Sequence, residues 1–187
     1  MKKRSLLSIL VLAMSVFVIS SLQSCTKLGK NLHFNLPMQT GTATITFPAS
    51  DNTTGQINIG ATTIGYNVDS FIMASTANQL NSSNISSVKL TSLKLTLTNA
   101  NTLNNFANLH SVNAAFTSNS NQIPYIVSLS NIADTYTTTI DLPVDTTELK
   151  SYLGNQFTYT INAVLRRVTS IPLNCTVNYQ FSVVVQG

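Results

Sequence analysis

Apolar and polar residues alternate along much of the chain, and the alternation is longest near the C-terminus. At 171–185 every second residue is apolar, and the residues between them are mostly Asn, Thr, Gln or Ser. The run at 157–163 has the same period. A period of two is typical of a strand with one buried and one exposed side. We predict that the two segments form one long hairpin with Arg166, Arg167 and Thr169 near its tip.

Shorter runs with the same period predict further strands. Ala43, Ile45 and Phe47 alternate with threonines, and Ile57 and Ile59 form the expected return strand after a loop rich in turn residues. Further strands are expected at 88–98, 112–116, 123–129 and 136–142.

Three of these regions have features of their own. In the strand at 88–98 the apolar phase changes after Leu90, and a β-bulge at 91–92 would keep all its apolar residues on one face. Pro124 indicates a strand at a sheet edge, because proline has no N–H to donate to a neighbour. In the Asn-rich connection that precedes 112–116, Phe106 and Leu109 are the expected anchors in the core.

Two segments predict short helices. In the segment 69–80, Asp69 is suited to cap the first turn. In the segment 145–154, Asp145 and Glu148 have the spacing of a capping box, and Gly154 would end the turn.

Several strands of this length, separated by turn residues, are typical of a sandwich. We therefore predict a mainly β chain, an antiparallel β-sandwich of immunoglobulin-like type with one or two short helices. A barrel is the alternative architecture.

Charge changes this picture little once the N-terminal leader is set aside. The chain has ten Lys and Arg against six Asp and Glu, but Lys2, Lys3 and Arg4 lie in the leader. The remaining basic residues nearly balance the acids, so the basic pI gives no argument for nucleic-acid binding. Only 9% of the residues are charged and Trp is absent, so Ser, Thr and Asn supply most of the polarity.

Residues 1–24 have the three parts of a secretory signal. The basic residues precede an apolar run of thirteen residues from Leu6 to Val18, and small and polar residues follow. A membrane-spanning helix needs about 20 apolar residues. The run therefore predicts a signal segment and not a permanent span.

The end of this signal resembles the lipobox of bacterial lipoproteins. Leu22, Ser24 and Cys25 match that motif, and Gln23 departs from the small residue usual at its position. The resemblance implies cleavage between Ser24 and Cys25 and a lipid on Cys25. Two or three acyl chains hold a protein at a membrane effectively permanently, whereas one chain binds only marginally. An ordinary secreted protein is the alternative.

The expected division is a signal peptide at 1–24, a lipidated Cys with a short tether at 25–36, and a single domain at 37–187. A chain of 163 residues after the cleavage point is long enough for one domain with its own core. Cys175 lies in the apolar phase, so we expect a buried thiol, with a reactive thiol or an intermolecular disulfide as the alternative.

Residue types that carry catalysis or bind metals are sparse. The two histidines, His33 and His110, lie far apart, and no short motif of metal ligands is present. The sequence has neither a nucleophile elbow nor a phosphate-binding glycine loop. We therefore expect no enzyme, no metal and no cofactor. Five acids are expected to be turn, cap or surface groups: Asp69, Asp134, Asp141, Asp145 and Glu148.

Two sets of side chains are candidates for partner contacts. Arg166 and Arg167 are suited to a carboxylate, a phosphate or a partner protein, with a solvated loop as the alternative. Tyr125, Tyr136 and Tyr152 are the residues to test for stacking on a sugar, with core or rim packing as the alternative.

The lipobox and the Asn-, Ser- and Thr-rich, Trp-free remainder together resemble small lipoproteins of Bacteroidota-type Gram-negative bacteria. No acidic run follows Cys25 and position 26 is not Asp, which by this resemblance implies the outer membrane, periplasmic face; the cell surface is the alternative. Residues 145–147 are similar to the short O-glycosylation motif of that group, so Thr146 is a candidate for a sugar. A helix start is the alternative for this segment.

These observations predict a membrane-anchored lipoprotein of the cell envelope, a structural or protein-interaction module that is not an enzyme. Its expected partners are the membrane, through the lipid on Cys25, and an envelope protein or a glycan, but not nucleic acid. The alternatives are a glycan-binding lipoprotein and an adhesion or pilus-type subunit that donates a strand.

Overall fold

Strands make up most of the part of the chain that the computed structural model describes, residues 32–187. Cys25, Ser24 and the predicted signal lie outside this part. Within residues 32–187, one α-helix, α1 (Val68–Ser75), and three short 3-10 helices lie in the connections, the latter at Ser82–Asn84, Phe106–Asn108 and Lys150–Tyr152. In chain order the strands are β1 (His33–Phe47), β2 (Gln56–Gly65), β3 (Ile85–Leu97), β4 (Leu109–Ser118), β5 (Tyr125–Ser130), β6 (Thr139–Asp141), β7 (Gln156–Leu165) and β8 (Leu173–Gln186).

The strands form two four-stranded antiparallel sheets, with the orders β1-β8-β3-β6 and β2-β7-β4-β5. The predicted antiparallel β-sandwich is confirmed. Every connection except β4–β5 crosses from one sheet to the other, which is the connectivity of an eight-stranded jelly roll. An immunoglobulin domain instead places its first two strands side by side in one sheet.

The two hairpins expected from the sequence, β1 with β2 and β7 with β8, are wrong, because in each case the two strands lie in different sheets. β7 and β8 were expected to form a hairpin, but β8 pairs with β1 and β3 and β7 pairs with β2 and β4. β2 likewise lies in the sheet opposite β1. A strand with one side facing the core shows the same alternation whether the next strand in the chain pairs with it or lies in the facing sheet. Both arrangements bury the same side of the strand, so the sequence pattern does not distinguish them.

The predicted inward residues fill the space between the sheets. In β8 every second residue from Leu173 to Val185 is buried, and so are Phe106 and Leu109. The bulge predicted at 91–92 is confirmed by a register shift between Leu90 and Ser92 of β3 against β8. β5 is an edge strand, as Pro124 predicted, but it covers Tyr125–Ser130 and not 123–129, so Pro124 precedes it. The strand expected at 136–142 is only Thr139–Asp141.

The first helix begins earlier than predicted and has a different cap. Asn67 caps α1, and its side chain accepts a hydrogen bond from the N–H of Ser70 at 2.8 Å. Asp69 instead accepts two bonds of 2.8 Å from the N–H and Oγ of Ser82. Asn caps about as well as Asp, and the position of Ser82 could not be known from the sequence.

The second predicted helix, at 145–154, is replaced by an irregular segment with the single 3-10 helix Lys150–Tyr152. The Glu148 carboxylate accepts hydrogen bonds from Ser87 Oγ at 2.6 Å and from the N–H of Val88 at 2.8 Å. These bonds attach the segment to β3, so Glu148 is not available to close a capping box.

The connections gather at two ends of the sandwich. We call the connections 48–55, 98–108, 131–138 and 166–172 the tip; there the end of β1 pairs with the start of β8, and Ser50 bridges to Thr169. We call the connections 66–84, 119–124 and 142–155 the base. The described chain also begins and ends at the base, where His33 lies opposite Gln186.

β1 begins at His33, so the last four residues of the segment expected to be a tether belong to a strand. The sheet-forming part of the chain therefore starts only eight residues after Cys25.

Candidate functional site

The tip exposes apolar side chains on several of its connections. Leu103 is 77% exposed, Val168 is 54% exposed and Tyr136 is 57% exposed. Leu103 and Val168 line a common cleft of about 520 Å³, which Arg167 also lines. These side chains come from three connections, so only the folded chain forms the surface.

One asparagine joins the backbones of the two aliphatic residues. Asn108 Nδ2 donates to the carbonyl oxygen of Leu103 at 3.0 Å and to that of Val168 at 2.8 Å. Asn108 Oδ1 accepts from the N–H of Asn105 at 3.1 Å. Asn108 is buried, and a buried amide left without hydrogen-bond partners is costly. The exposed Leu103 and Val168 are therefore held at fixed positions.

Neighbouring asparagines continue this network. Asn101 Oδ1 accepts from the N–H groups of Leu103 and Asn104, both at 2.9 Å. Asn104 Oδ1 in turn accepts from the N–H of Ser170 at 2.7 Å, which joins two connections of the tip. The Asn-rich segment is thus ordered by side-chain hydrogen bonds, whereas its composition alone indicates only a loop.

The predicted contact residues Arg166 and Arg167 lie at the tip and share one acid. Asp134 Oδ1 lies 3.6 Å from Arg166 Nη1 and 2.6 Å from Arg167 Nη2. Arg166 Nη2 also donates to the carbonyl oxygen of Ile132 at 2.6 Å, and Arg167 Nη2 donates to that of Ala107 at 3.1 Å. The pair therefore links three connections, while about half of the Arg167 side chain remains exposed.

Two of the three tyrosines selected for sugar stacking pack against the protein. The rings of Tyr125 and Tyr152 lie 5.4 and 5.2 Å from that of Phe116. The Tyr125 hydroxyl donates to Asp145 Oδ1 at 2.8 Å. Burial, and then this bond, raises the pKa of Tyr125 to about 12. Tyr136 alone of the three leaves most of its ring exposed.

The remaining candidates lie apart from the tip cleft. Thr146 is exposed in the irregular segment at the base, next to Asp145, which accepts a bond from the N–H of Thr147 at 2.9 Å. Cys175 is buried in β8, and His33 and His110 are exposed. Within residues 32–187, no group of three or more His, Cys, Asp or Glu side chains is placed to hold a metal ion.

The expected surface acids make local bonds. Asp141 pairs with Lys94 at 3.6 Å and Asp134 pairs with the two arginines. Hydrogen bonds, first those that Thr147 donates, lower the pKa of Asp145.

Leu103, Asn108 and Val168 were not singled out by the sequence. Leu103 offered the one available signal, since it is an apolar residue isolated among Asn and Thr. Asn108 offered none, because its two acceptors lie five and sixty residues away.

No family model matches the chain, and no curated protein matches it. Among solved structures, a chain titled Desmodium yellow mottle tymovirus is 13% identical with a TM-score of 0.27, and 82% of this chain and 84% of that chain are covered. A turnip yellow mosaic virus chain is 11% identical with a TM-score of 0.29, and the covered shares are 84% and 95%. Scores this low carry no argument about function. Across residues 32–187, none of the helices has the length and apolar character needed to cross a bilayer.

Proposed function

We propose that this chain is a lipoprotein of the cell envelope, held by a lipid on Cys25, whose sandwich is a non-enzymatic module that binds a protein partner through the tip. The observation that carries the tip assignment is the Asn108 side chain, which holds the exposed Leu103 and Val168 in one cleft. The lipobox resemblance supports the anchor.

The geometry of the chain relates the anchor to the tip. Seven residues separate Cys25 from His33, the first residue of β1, so the connection spans roughly 28 Å at most. β1 begins at the base. A lipid on Cys25 would therefore keep the base near the membrane and leave the tip as the part of the domain farthest from it.

The chemistry of the tip cleft favours a protein over a glycan. Its exposed apolar lining is aliphatic, from Leu103 and Val168, and Arg167 adds a cation. Exposed apolar surface is a mark of protein interfaces, where arginine is also enriched, whereas sugar sites commonly stack the ligand on an aromatic ring. The proposed location is the outer membrane with the domain in the periplasm, where the partner would be another envelope protein.

Site-specific photocrosslinking in intact cells tests the tip. A photoreactive residue at position 168 should give one discrete adduct, and Leu103→Asp in the same chain should remove it, since a charge in the cleft opposes apolar packing. Met73 is a matched exposed apolar position at the base, and a photoreactive residue there should not give this adduct. Equal adducts from both ends, or an adduct that is insensitive to Leu103→Asp, would overturn the tip assignment.

The anchor has its own test. Mass spectrometry of the mature N-terminus should find an acylated Cys25, and Cys25→Ser should release the chain from the membrane fraction. Protease treatment of intact cells should leave the domain uncut if it faces the periplasm. An unmodified mature chain would exclude the anchor, and cleavage of the domain would move it to the cell surface.

A further inference from the structure

The base contains a second and larger cleft, of about 760 Å³. One part of its lining comes from the end of β2 and the start of α1, with Tyr66 and Asp69, and another part comes from the connection before β7, with Lys150 and Asn155. The N–H of Tyr66 donates to the carbonyl oxygen of Asn155 at 2.9 Å, which fixes the two parts relative to each other. The two sides of the cleft are therefore held together by the fold.

A fixed carboxylate lies in this cleft. Asp69 Oδ1 accepts both bonds from Ser82, at 2.8 Å each. These bonds, first the one from the backbone of Ser82, lower the pKa of Asp69, so the group is ionised at neutral pH. Its second oxygen, Oδ2, accepts no hydrogen bond from residues 32–187. The carboxylate is thus oriented by the protein and retains an oxygen for a ligand.

Lys150 supplies a charge of the opposite sign. Ion pairs within residues 32–187 involve Lys94, Arg166 and Arg167, and Lys150 forms none there, with Asp69 or with another acid. The lining of the cleft therefore includes one acid and one base that form no ion pair with each other.

This charge pattern selects among ligand classes. A simple anion would be opposed by Asp69 and a simple cation by Lys150. A zwitterion satisfies both, with its ammonium on the carboxylate and its anionic group on the lysine. Tyr66 adds a half-buried ring, which packs on Phe71 with centroids 6.1 Å apart and offers an apolar side to short methylene links.

The position of the cleft favours the bilayer as the source of a zwitterionic ligand. Ser82, which orients Asp69, belongs to the same 3-10 helix as Asn84, whose Nδ2 donates to the carbonyl oxygen of Gln186 at 3.0 Å. Gln186 lies opposite His33, where the chain enters from the segment that bears Cys25. The cleft thus lies beside the point of attachment, and bilayer headgroups would be the molecules nearest to it.

We propose that the base cleft binds the phosphoethanolamine headgroup of the bilayer to which the chain is tethered, with the ammonium on Asp69 and the phosphate on Lys150. This inference rests on the lipid anchor of the proposed function. A tethered domain meets headgroups at a high effective concentration, so weak binding at the cleft is enough to orient it with the tip outward.

The first experiment uses the mature chain with Cys25→Ser, which carries no lipid, and titrates free phosphoethanolamine while backbone amide NMR shifts are recorded. Shifts should concentrate at Tyr66, Asp69, Lys150 and Asn155. Asp69→Asn and Lys150→Met should each weaken binding by about tenfold, as expected for loss of one charge-assisted bond.

Matched controls are Asp51→Asn, an exposed acid of the tip, and Lys94→Met, a lysine of β3. Both should bind like the parent chain. If ethanolamine or phosphate alone binds as well as the zwitterion, or if glucose shifts these residues and phosphoethanolamine does not, the proposal is wrong.

The second experiment separates the lipid from a free metabolite. The same unlipidated chain should float with vesicles of phosphatidylcholine and phosphatidylethanolamine more than with phosphatidylcholine alone, and free phosphoethanolamine should compete. Binding of the free zwitterion without any binding to vesicles would refute the headgroup assignment. Neither experiment uses the lipid on Cys25 or the tip. Failure of the headgroup proposal is therefore distinguishable from failure of the proposed function.

Discussion

Tyr159 of β7 and Tyr179 of β8 stack across the middle of the sandwich, with ring centroids 4.2 Å apart and an interplanar angle of 25°. The two residues come from opposite sheets, so the stack joins the sheets directly. Their hydroxyl groups have different surroundings. That of Tyr159 forms a hydrogen bond with Thr40 Oγ1, whereas that of Tyr179 is buried with no hydrogen-bond partner among residues 32–187.

Replacing Tyr179 by Phe should raise the free energy of unfolding by about 1 kcal/mol, because a buried polar group without a partner is destabilising by about 1–3 kcal/mol and the ring is retained. Urea unfolding measures the change. Tyr159→Phe is the matched control and should lower stability, since it leaves Thr40 unpaired. A clear loss of stability in Tyr179→Phe would show that the hydroxyl has a partner.

Cys175 should not react with thiol reagents in the folded protein. Its side chain is fully buried, and burial raises the pKa of the thiol to about 12, so the reactive thiolate is scarce at neutral pH. In a chain with Cys25→Ser, we expect one thiol to react in denaturant and none to react quickly without it. Rapid labelling of the folded chain would instead support a reactive thiol.

Glu148 should make stability depend on pH in the acid range. Burial opposes its ionisation, but hydrogen bonds from Ser87, Val88 and Lys150 outweigh burial, and the pKa of the carboxyl is lowered. A carboxyl with a lower pKa in the folded than in the unfolded chain stabilises above its unfolded pKa, and this stability is lost as pH falls through the folded pKa.

The free energy of unfolding should therefore fall more between about pH 6 and pH 3 in the parent chain than in Glu148→Gln. The variant lacks the carboxyl at position 148 whose protonation costs stability. Ser87→Ala removes one of the donors and should fall between the two. Equal losses in the parent and Glu148→Gln would show that this carboxylate does not stabilise the fold.

Asn108→Ala should destabilise the protein by about 3 kcal/mol, since it removes three hydrogen bonds of a buried side chain, worth about 1 kcal/mol each. Exchange of amide hydrogens should also become faster at 98–108 and 166–172. Asn58→Ala, at an exposed asparagine of β2, is the control and should change stability by less than about 0.5 kcal/mol. Unchanged exchange in the tip would show that Asn108 does not hold the two connections together.

The alternating pattern predicted local features well. The inward phase of β8, the bulge at 91–92 of β3, the edge position after Pro124 and the buried Cys175 all match the structure. Each of these features depends either on which side of one strand is apolar or on the missing N–H of one proline. A few consecutive residues are enough to show either property.

The candidate sites were less predictable, because their side chains meet across long distances in sequence. Asn108 bonds to Val168, and Glu148 bonds to Val88 of β3. At the tip the sequence indicated Arg166 and Arg167 as contact candidates, but the cleft residues Leu103, Asn108 and Val168 were not singled out. At the base the sequence predicted Asp69 as a helix cap, which is wrong because Asn67 is the cap, and only the fold brings Ser82 to Asp69.

The sequence by itself determined that the chain is mainly β and which residues of each strand face the core. The signal peptide, the lipobox and the lipid on Cys25 rest on a resemblance and stay predictions. Only the tertiary structure decided which strands are neighbours, so that β7 and β8 face each other across the core and do not pair. The physical reason is that many different strand pairings bury the same apolar side of a strand equally well. The choice among them rests on packing between sheets and on hydrogen bonds between distant connections, such as those of Asn108.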